Sequence, residues 1–446
     1  MESQLVNGAL NTTPSRGRKI SDAWKKSKSE SIVPYEREEA LALVMETILS
    51  KADYQKIRNG ARERKADIYP VNKEVARAKE LCYPPRNTMT IAENVCKVEL
   101  RALLDHTARR ICQYSGEVVS ALPENARTEL TLISKWGCDG SSGQTMYKQK
   151  VAHSDLRDCN LFMSCMVPLE LNAQDDDKKL IVWKNPRPSS TRYCRPIKLE
   201  FVSETPEVVT KERKDMMSQL NNLVPTECSI GALGERHNVT IRHQMHMTMI
   251  DGKVSNILTD TASSQTCNLC GATPVLMNRI DEVTLRPINL DALQYGLSTL
   301  YAYIRFLEWL LHVASRLEVK QWRVNKGEIA ERKLAIQRQF REQTGLLVDV
   351  VKQGEGTTND GNTARRFFAH SEESARITGV SEELIKRCDV ILRTMASGYE
   401  VDADAFRTYT MDTAKLYVSK YPWFYMPASV HKVIIPTFRV LVERIR

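Results

Sequence analysis

Two aspartates and one cysteine pair are the residues of this 446-residue chain whose types and spacing could do chemistry. Asp139 follows the strand-like stretch TLISKWGC and precedes Gly140-Ser141-Ser142-Gly143. Asp251 closes VTIRHQMHMTMI and precedes Gly252. Each stands where a strand stops and a glycine-containing turn begins, the edge of a sheet at which functional groups gather. An Asp-Gly step is equally an ordinary turn signal, so position alone leaves both readings open. If the two strands lie side by side, their ends bring two carboxylates together. Like charges at short range repel and call for divalent cations between them, and an all-oxygen site of this kind favours Mg²⁺ or Mn²⁺. A pair of such ions, about 3.5–4 Å apart, activates a water or a 3′-hydroxyl and stabilises the leaving oxygen in phosphoryl transfer.

The cysteine pair is Cys267-x-x-Cys270 in QTCNLCGATP. Two thiolates at this spacing can meet one tetrahedral ion, and the glycine after them lets the chain turn tightly, so the pair reads as half of a Zn²⁺ site. The redox alternative wants a βαβ setting that the flanking sequence does not offer. Eleven cysteines, an odd number spread over a long chain, do not suggest a disulfide scaffold. His243 and His246 are three apart in a predicted strand, so they point to opposite faces and are expected to be structural.

Composition bounds what must position these residues. The chain is 42% hydrophobic and 27% charged with a net charge of +9, which suits a soluble globular protein of about two to four domains. No apolar run reaches the roughly 18–20 residues of a membrane span, and the start MESQLVNGALNTTPSRGRK lacks a secretory apolar stretch, so an intracellular, non-membrane protein is expected. The basic balance makes nucleic acid a plausible partner.

Residues 1–35 hold six basic groups between positions 11 and 30 against Asp22 and Glu30, and read as a disordered basic tail able to touch phosphates or to act as a nuclear address. Residues 36–126 read as a helical N-terminal module for DNA contact or dimerisation. REEALALVMETILS places Leu41, Leu43, Val44, Ile48 and Leu49 near a 3.6 period, Pro70 and Pro84-Pro85 break the pattern, and NVCKVELRALLDHTARRICQYS resumes it. From 127 to 272 the chain is β-rich: TLISKWGCDGSSG, LFMSCMVPLEL, KLIVWKN and HNVTIRHQMHMTMIDG, with one helical stretch that includes Ser218–Val224 before the last of them. That order predicts an α+β layer on a mixed sheet. Residues 273–446 read as helical. LSTLYAYIRFLEWLLHVASRLEVKQW looks buried. VNKGEIAERKLAIQRQFREQTG is amphipathic, with Lys326, Arg332, Lys333, Arg338 and Arg341 forming either a solvated face or a contact for the DNA backbone.

CDGSSG, MIDGKV before CNLCG, LYAYIRFLEWLLH, DGNTARRFF at 360–368 and WFYMPASVHKV at 423–433, in this order, resemble the Transib family of DNA transposases over roughly Ser50 to Val433. That family is related to the catalytic subunit of the recombinase encoded by the recombination-activating genes. The resemblance implies an RNase H-like core with a DDE triad, a large helical zinc-binding C-terminal region, cutting at terminal inverted repeats of double-stranded DNA through a hairpin, and work as a homodimer in the nucleus. It implies that Asp139 and Asp251 are the first two triad carboxylates. It also implies that Cys267 and Cys270 share zinc with two histidines five apart, the first matching His431. At the second histidine's place stands Pro436, and the family's catalytic glutamate, expected on a helix further on, has no counterpart in TFRVLVERIR, where Glu443 is the one acidic residue. Two expectations follow: a cut-and-paste transposase using two metals, or a domesticated or decaying protein that binds DNA without cutting it.

Overall fold

The computed structural model describes residues 13–28, 33–142, 159–230, 237–295, 298–352, 356–399 and 401–435. It divides into two compact units that meet in sequence between Arg86 and Asn87. No helix among the described residues is long and apolar enough to cross a membrane.

The first unit holds helices α1 (Pro14–Lys28), α2 (Arg37–Thr47), α3 (Lys51–Glu63) and α4 (Asn72–Glu80). Residues 14–28, expected as disordered tail, are helical. The side chains described there, up to Asp22, are exposed or half-buried. In α2 the amide of Glu36 donates to Glu39 (2.9 Å) in a capping box. At the other end Ile48 turns left-handed (φ 55) and lies 89% exposed, which stops the helix before the apolar pattern runs out. Ala40, Tyr54 and Val75 form the small core, and the Tyr54 hydroxyl donates to the Pro70 carbonyl (2.9 Å).

The second unit is mixed α+β. Its sheet contains β1 (Met89–Ile91), β2 (Val95–Val98), β3 (Glu129–Ser142), β4 (Asn160–Asp175), β5 (Lys178–Lys184), β6 (Arg195–Glu200), β7 (Thr226–Ile230) and β8 (His237–Met247). The order is β1-β2-β6-β4-β3-β8-β7, with β5 also paired to β4. Only β3 and β8 run parallel. Residues 87–114, expected to continue the helical module, belong here: Val95–Val98 is a strand and only Leu100–Tyr114 is helix (α5). The helical stretch expected around Ser218–Val224 is the end of a longer α6 (Pro206–Asn221), which starts where Thr205 accepts from the Val208 amide (3.3 Å).

Alternate residues of β3 build one face of the sheet. Leu130, Leu132, Ser134, Trp136 and Cys138 are buried, and Leu100, Leu103, Leu104, Ala108 and Cys112 of α5 pack on that side. Beyond β8 the chain folds back tightly. The amides of Thr248 and Met249 both donate to the Trp136 carbonyl (3.1 and 3.0 Å). A Cβ on Gly137 would collide with the Met249 backbone, so this crossing needs glycine. The chain then enters a short helix, α7 (Gly252–Leu258).

Past Cys270 the fold is helical, as expected: α8 (Thr299–Ser315), α9 (Lys326–Thr344), α10 (Gly361–Ala369), α11 (Ser371–Thr378), α12 (Glu382–Ala396), α13 (Ala403–Lys420) and α14 (Ala428–Ile434). The centre of this core is α8. Trp309 is 1% exposed and stacks edge-on to Phe306 (5.8 Å between centroids) and Tyr417 (4.5 Å). Trp309→Ala is expected to lower unfolding stability by about 3–5 kcal/mol, read from the midpoint of urea denaturation. On α9 the Arg332 guanidinium is consumed inside the protein, donating to the carbonyls of Ala314 (2.7 Å) and Thr378 (3.1 Å) and pairing with Glu318 (2.8 Å). Lys333 pairs with Asp349 (2.6 Å). Of the basic residues read as one face, only Lys326, Arg338 and Arg341 are fully exposed.

Candidate active site and candidate metal centre

The carboxylates at 139 and 251 come together because their strands are parallel neighbours and the chain after β8 is folded back over Gly137. Asp139 lies near the end of β3. Asp251 caps α7, where its Oδ1 accepts from the Val254 amide (2.8 Å). Asp251 thus starts the helix with one oxygen, and its carboxylate lies within electrostatic reach of Asp139. Partial desolvation pushes Asp139 up to about 6, and repulsion from Asp251 and then from Glu204 adds to it. The Gly140 amide and the Tyr301 hydroxyl, which reaches Asp139 Oδ2 at 3.4 Å, hold it down in part.

Glu204 is the residue that sequence reasoning missed. It lies in the turn just before α6, its Oε2 accepts from the Gly140 amide (2.7 Å), and its Oε1 pairs with Lys253 (2.7 Å), raising that lysine's affinity for its proton. No spacing in FVSETPEVV marks it, since an acidic residue ahead of a Thr-Pro helix start is a common local pattern. Its place is set by a partner far along the chain. At Gly140 a Cβ would stand 2.5 Å from the Cβ of Glu204 and 2.9 Å from its Oε2. Gly140→Ala therefore has to displace Glu204. It is expected to cost about 1–3 kcal/mol of stability and to weaken Mn²⁺ binding by calorimetry, whereas an alanine at the open position 252 leaves both unchanged.

No protein-family model and no curated protein matches this chain.

The second centre joins residues far apart in sequence. The ligand atoms of Cys267, Cys270 and His431 all lie within 4.8 Å of one another and all three residues are buried, the one such group of three among the described residues. Cys270 Sγ is 3.3 Å from His431 Nε2. The knuckle is closed by the Cys267 amide on the Ala272 carbonyl (2.9 Å) and the Gly271 amide on the Cys267 carbonyl (2.8 Å), with Gly271 left-handed at φ 65. His431 comes from α14 and is fully buried, and its Nδ1 has no hydrogen-bond partner among the described residues. The bond from the Cys267 thiol, then contact with His431, draws Cys270 down to about 4, while Cys267 is pushed up. A thiolate is the form a metal requires.

Bond lengths of about 2.0–2.3 Å to a tetrahedral zinc place ligand atoms roughly 3.3–3.8 Å apart, and the observed sulfur–nitrogen distance fits. The cluster could hold a metal such as zinc. Pro436, at the expected fourth ligand, lies outside the described residues. His243, expected as structural, sits 2.7 Å from the Thr226 hydroxyl, and burial lowers it to about 4, so it stays neutral near neutral pH.

Proposed function

We propose that the chain is a DNA-cutting and DNA-joining enzyme of the transposase type. Asp139 and Asp251 hold Mg²⁺ or Mn²⁺ at the edge of an RNase H-like core, and the Cys267–Cys270–His431 cluster binds zinc to tie α14 to the knuckle. The observation that supports this reading is Asp139 near the end of β3, which partial desolvation, then repulsion from Asp251 and Glu204, pushes up to about 6. Concentrated negative charge of this kind is relieved by divalent ions, which is the arrangement that two-metal phosphoryl transfer uses. The partner that fits is double-stranded DNA with terminal inverted repeats, bound by a nuclear homodimer, in keeping with the +9 net charge.

The test is Mn²⁺-dependent nicking of a supercoiled plasmid carrying the repeats that flank the coding gene. Cleavage by the wild type and none by Asp251→Asn is expected; equal cleavage by both would show that the chemistry lies elsewhere. One observation favours the second reading, DNA binding without cleavage. Lys253 already neutralises Glu204 and Asp251 is used as a helix cap, so the cluster can stand without metal. That reading expects salt-sensitive duplex binding and no metal-dependent nicking.

A further inference from the structure

A cleft opens directly beside Asp251, lined by that aspartate, Ser298, Tyr301, Arg305, Ser429 and Lys432. We infer that this cleft is a phosphate-binding subsite in which Lys432 and Arg305 take the non-bridging oxygens of a phosphodiester. The phosphodiester part of this assignment rests on the DNA reading above; the recognition of a phosphate group does not.

The lining carries the argument. Two cations, Arg305 and Lys432, and four hydroxyl groups, those of Ser255, Ser298, Tyr301 and Ser429, line the cleft. Lys432 is partly buried and lies within electrostatic reach of Asp251, Cys267 and Arg305. Arg305 uses one nitrogen on Glu308 (2.7 Å), and its fork presents further donors of the kind that bind phosphate oxygens in pairs. Tyr301 ties the cleft to the carboxylates, since its hydroxyl donates to Asp139. Asp139 and Asp251 would hold a metal ion next to this cleft, and its positive charge would add to the attraction for a phosphate group.

The position of Lys432 is set by its neighbour. His431 is held in the knuckle against Cys270, and the next residue of α14 projects into the cleft. The metal centre thereby acts as the anchor for a phosphate-binding lysine.

The experiment titrates inorganic phosphate, and separately a short DNA duplex with Ca²⁺ in place of the catalytic ion, against the full chain by calorimetry. The wild type is expected to bind phosphate, with Lys432→Gln and Arg305→Gln each weakening it about tenfold, as loss of a charge-assisted hydrogen bond implies. Lys432→Arg is expected to keep most of the affinity, and it carries the test together with Arg305→Gln if Lys432→Gln does not fold. For the duplex, each Gln variant should lower the log–log salt slope by about one. Phosphate binding that is absent in the wild type, or equal in wild type and both Gln variants, overturns the subsite. Phosphate binding that depends on Lys432 and Arg305 in a protein that neither binds nor nicks duplex DNA upholds the subsite and overturns the DNA reading.

Discussion

Asp139→Asn is expected to abolish metal-dependent DNA cleavage, with a loss of at least about a thousandfold in turnover, because a ligand shared by the reaction's cations cannot be replaced by an amide. The same variant makes a second, independent prediction. The carboxyl at 139 is raised to about 6 in the folded protein, above its usual value of 3.8. A raised acid is easier to protonate when folded, so its contribution favours folding at low pH and is lost as pH rises from about 4 through about 6. Metal-free wild type should therefore melt at falling temperature across that window, and Asp139→Asn should remove that part of the slope. Added Mn²⁺ should restore the wild type above pH 6 and leave the variant unmoved. A melting profile identical in the two proteins would mean that the carboxylates do not interact as the geometry requires.

Loss of a metal bound at the cysteine knuckle should have a large effect on stability. An ion bound only by the folded chain, at a free concentration a thousandfold above its Kd, adds about 4 kcal/mol. Chelation should therefore lower the melting temperature by roughly 5–10 °C. Purified protein is expected to carry one zinc by elemental analysis, and Cys267→Ser or His431→Ala should lose it. Affinity should fall as pH drops and the thiols take back their protons. Asp139→Asn should keep the zinc, which separates the two centres. If His431→Ala binds zinc as the wild type does, the contact at 3.3 Å between Cys270 and His431 is packing alone.

How much of this was legible in the sequence depended on whether the governing interaction was local. The alternation of Leu130, Leu132, Ser134, Trp136 and Cys138 reports β3 because burial on one face is written into every second residue. The length and apolar density of α8 likewise declare a buried helix. Val95–Val98 was read as helix because four residues cannot establish a period, and what makes them a strand is pairing with Lys198, Leu199 and Glu200. The end of α2 at Thr47 was hidden for a similar reason: Leu49 fits the helical pattern, but the backbone at Ile48 has already turned left-handed. In the site, Asp139, Asp251 and the cysteine pair carry local signals of turn and spacing. Glu204 carries none, and His431, 161 residues from Cys270, was reachable only through the resemblance.

The double use of the Trp136 carbonyl has a consequence for how this chain can change. Two successive amides bonded to one oxygen act as a clamp on chain length, and Gly137 leaves no slack beneath it. The residues between Met247 and Asp251 can vary in kind, but their number cannot, because one residue more or fewer would swing the carboxylate at 251 away from its partner. Substitutions in this turn are therefore forgiving, whereas insertions and deletions are not. The spacing between the two carboxylates is kept by backbone arithmetic rather than by any side chain.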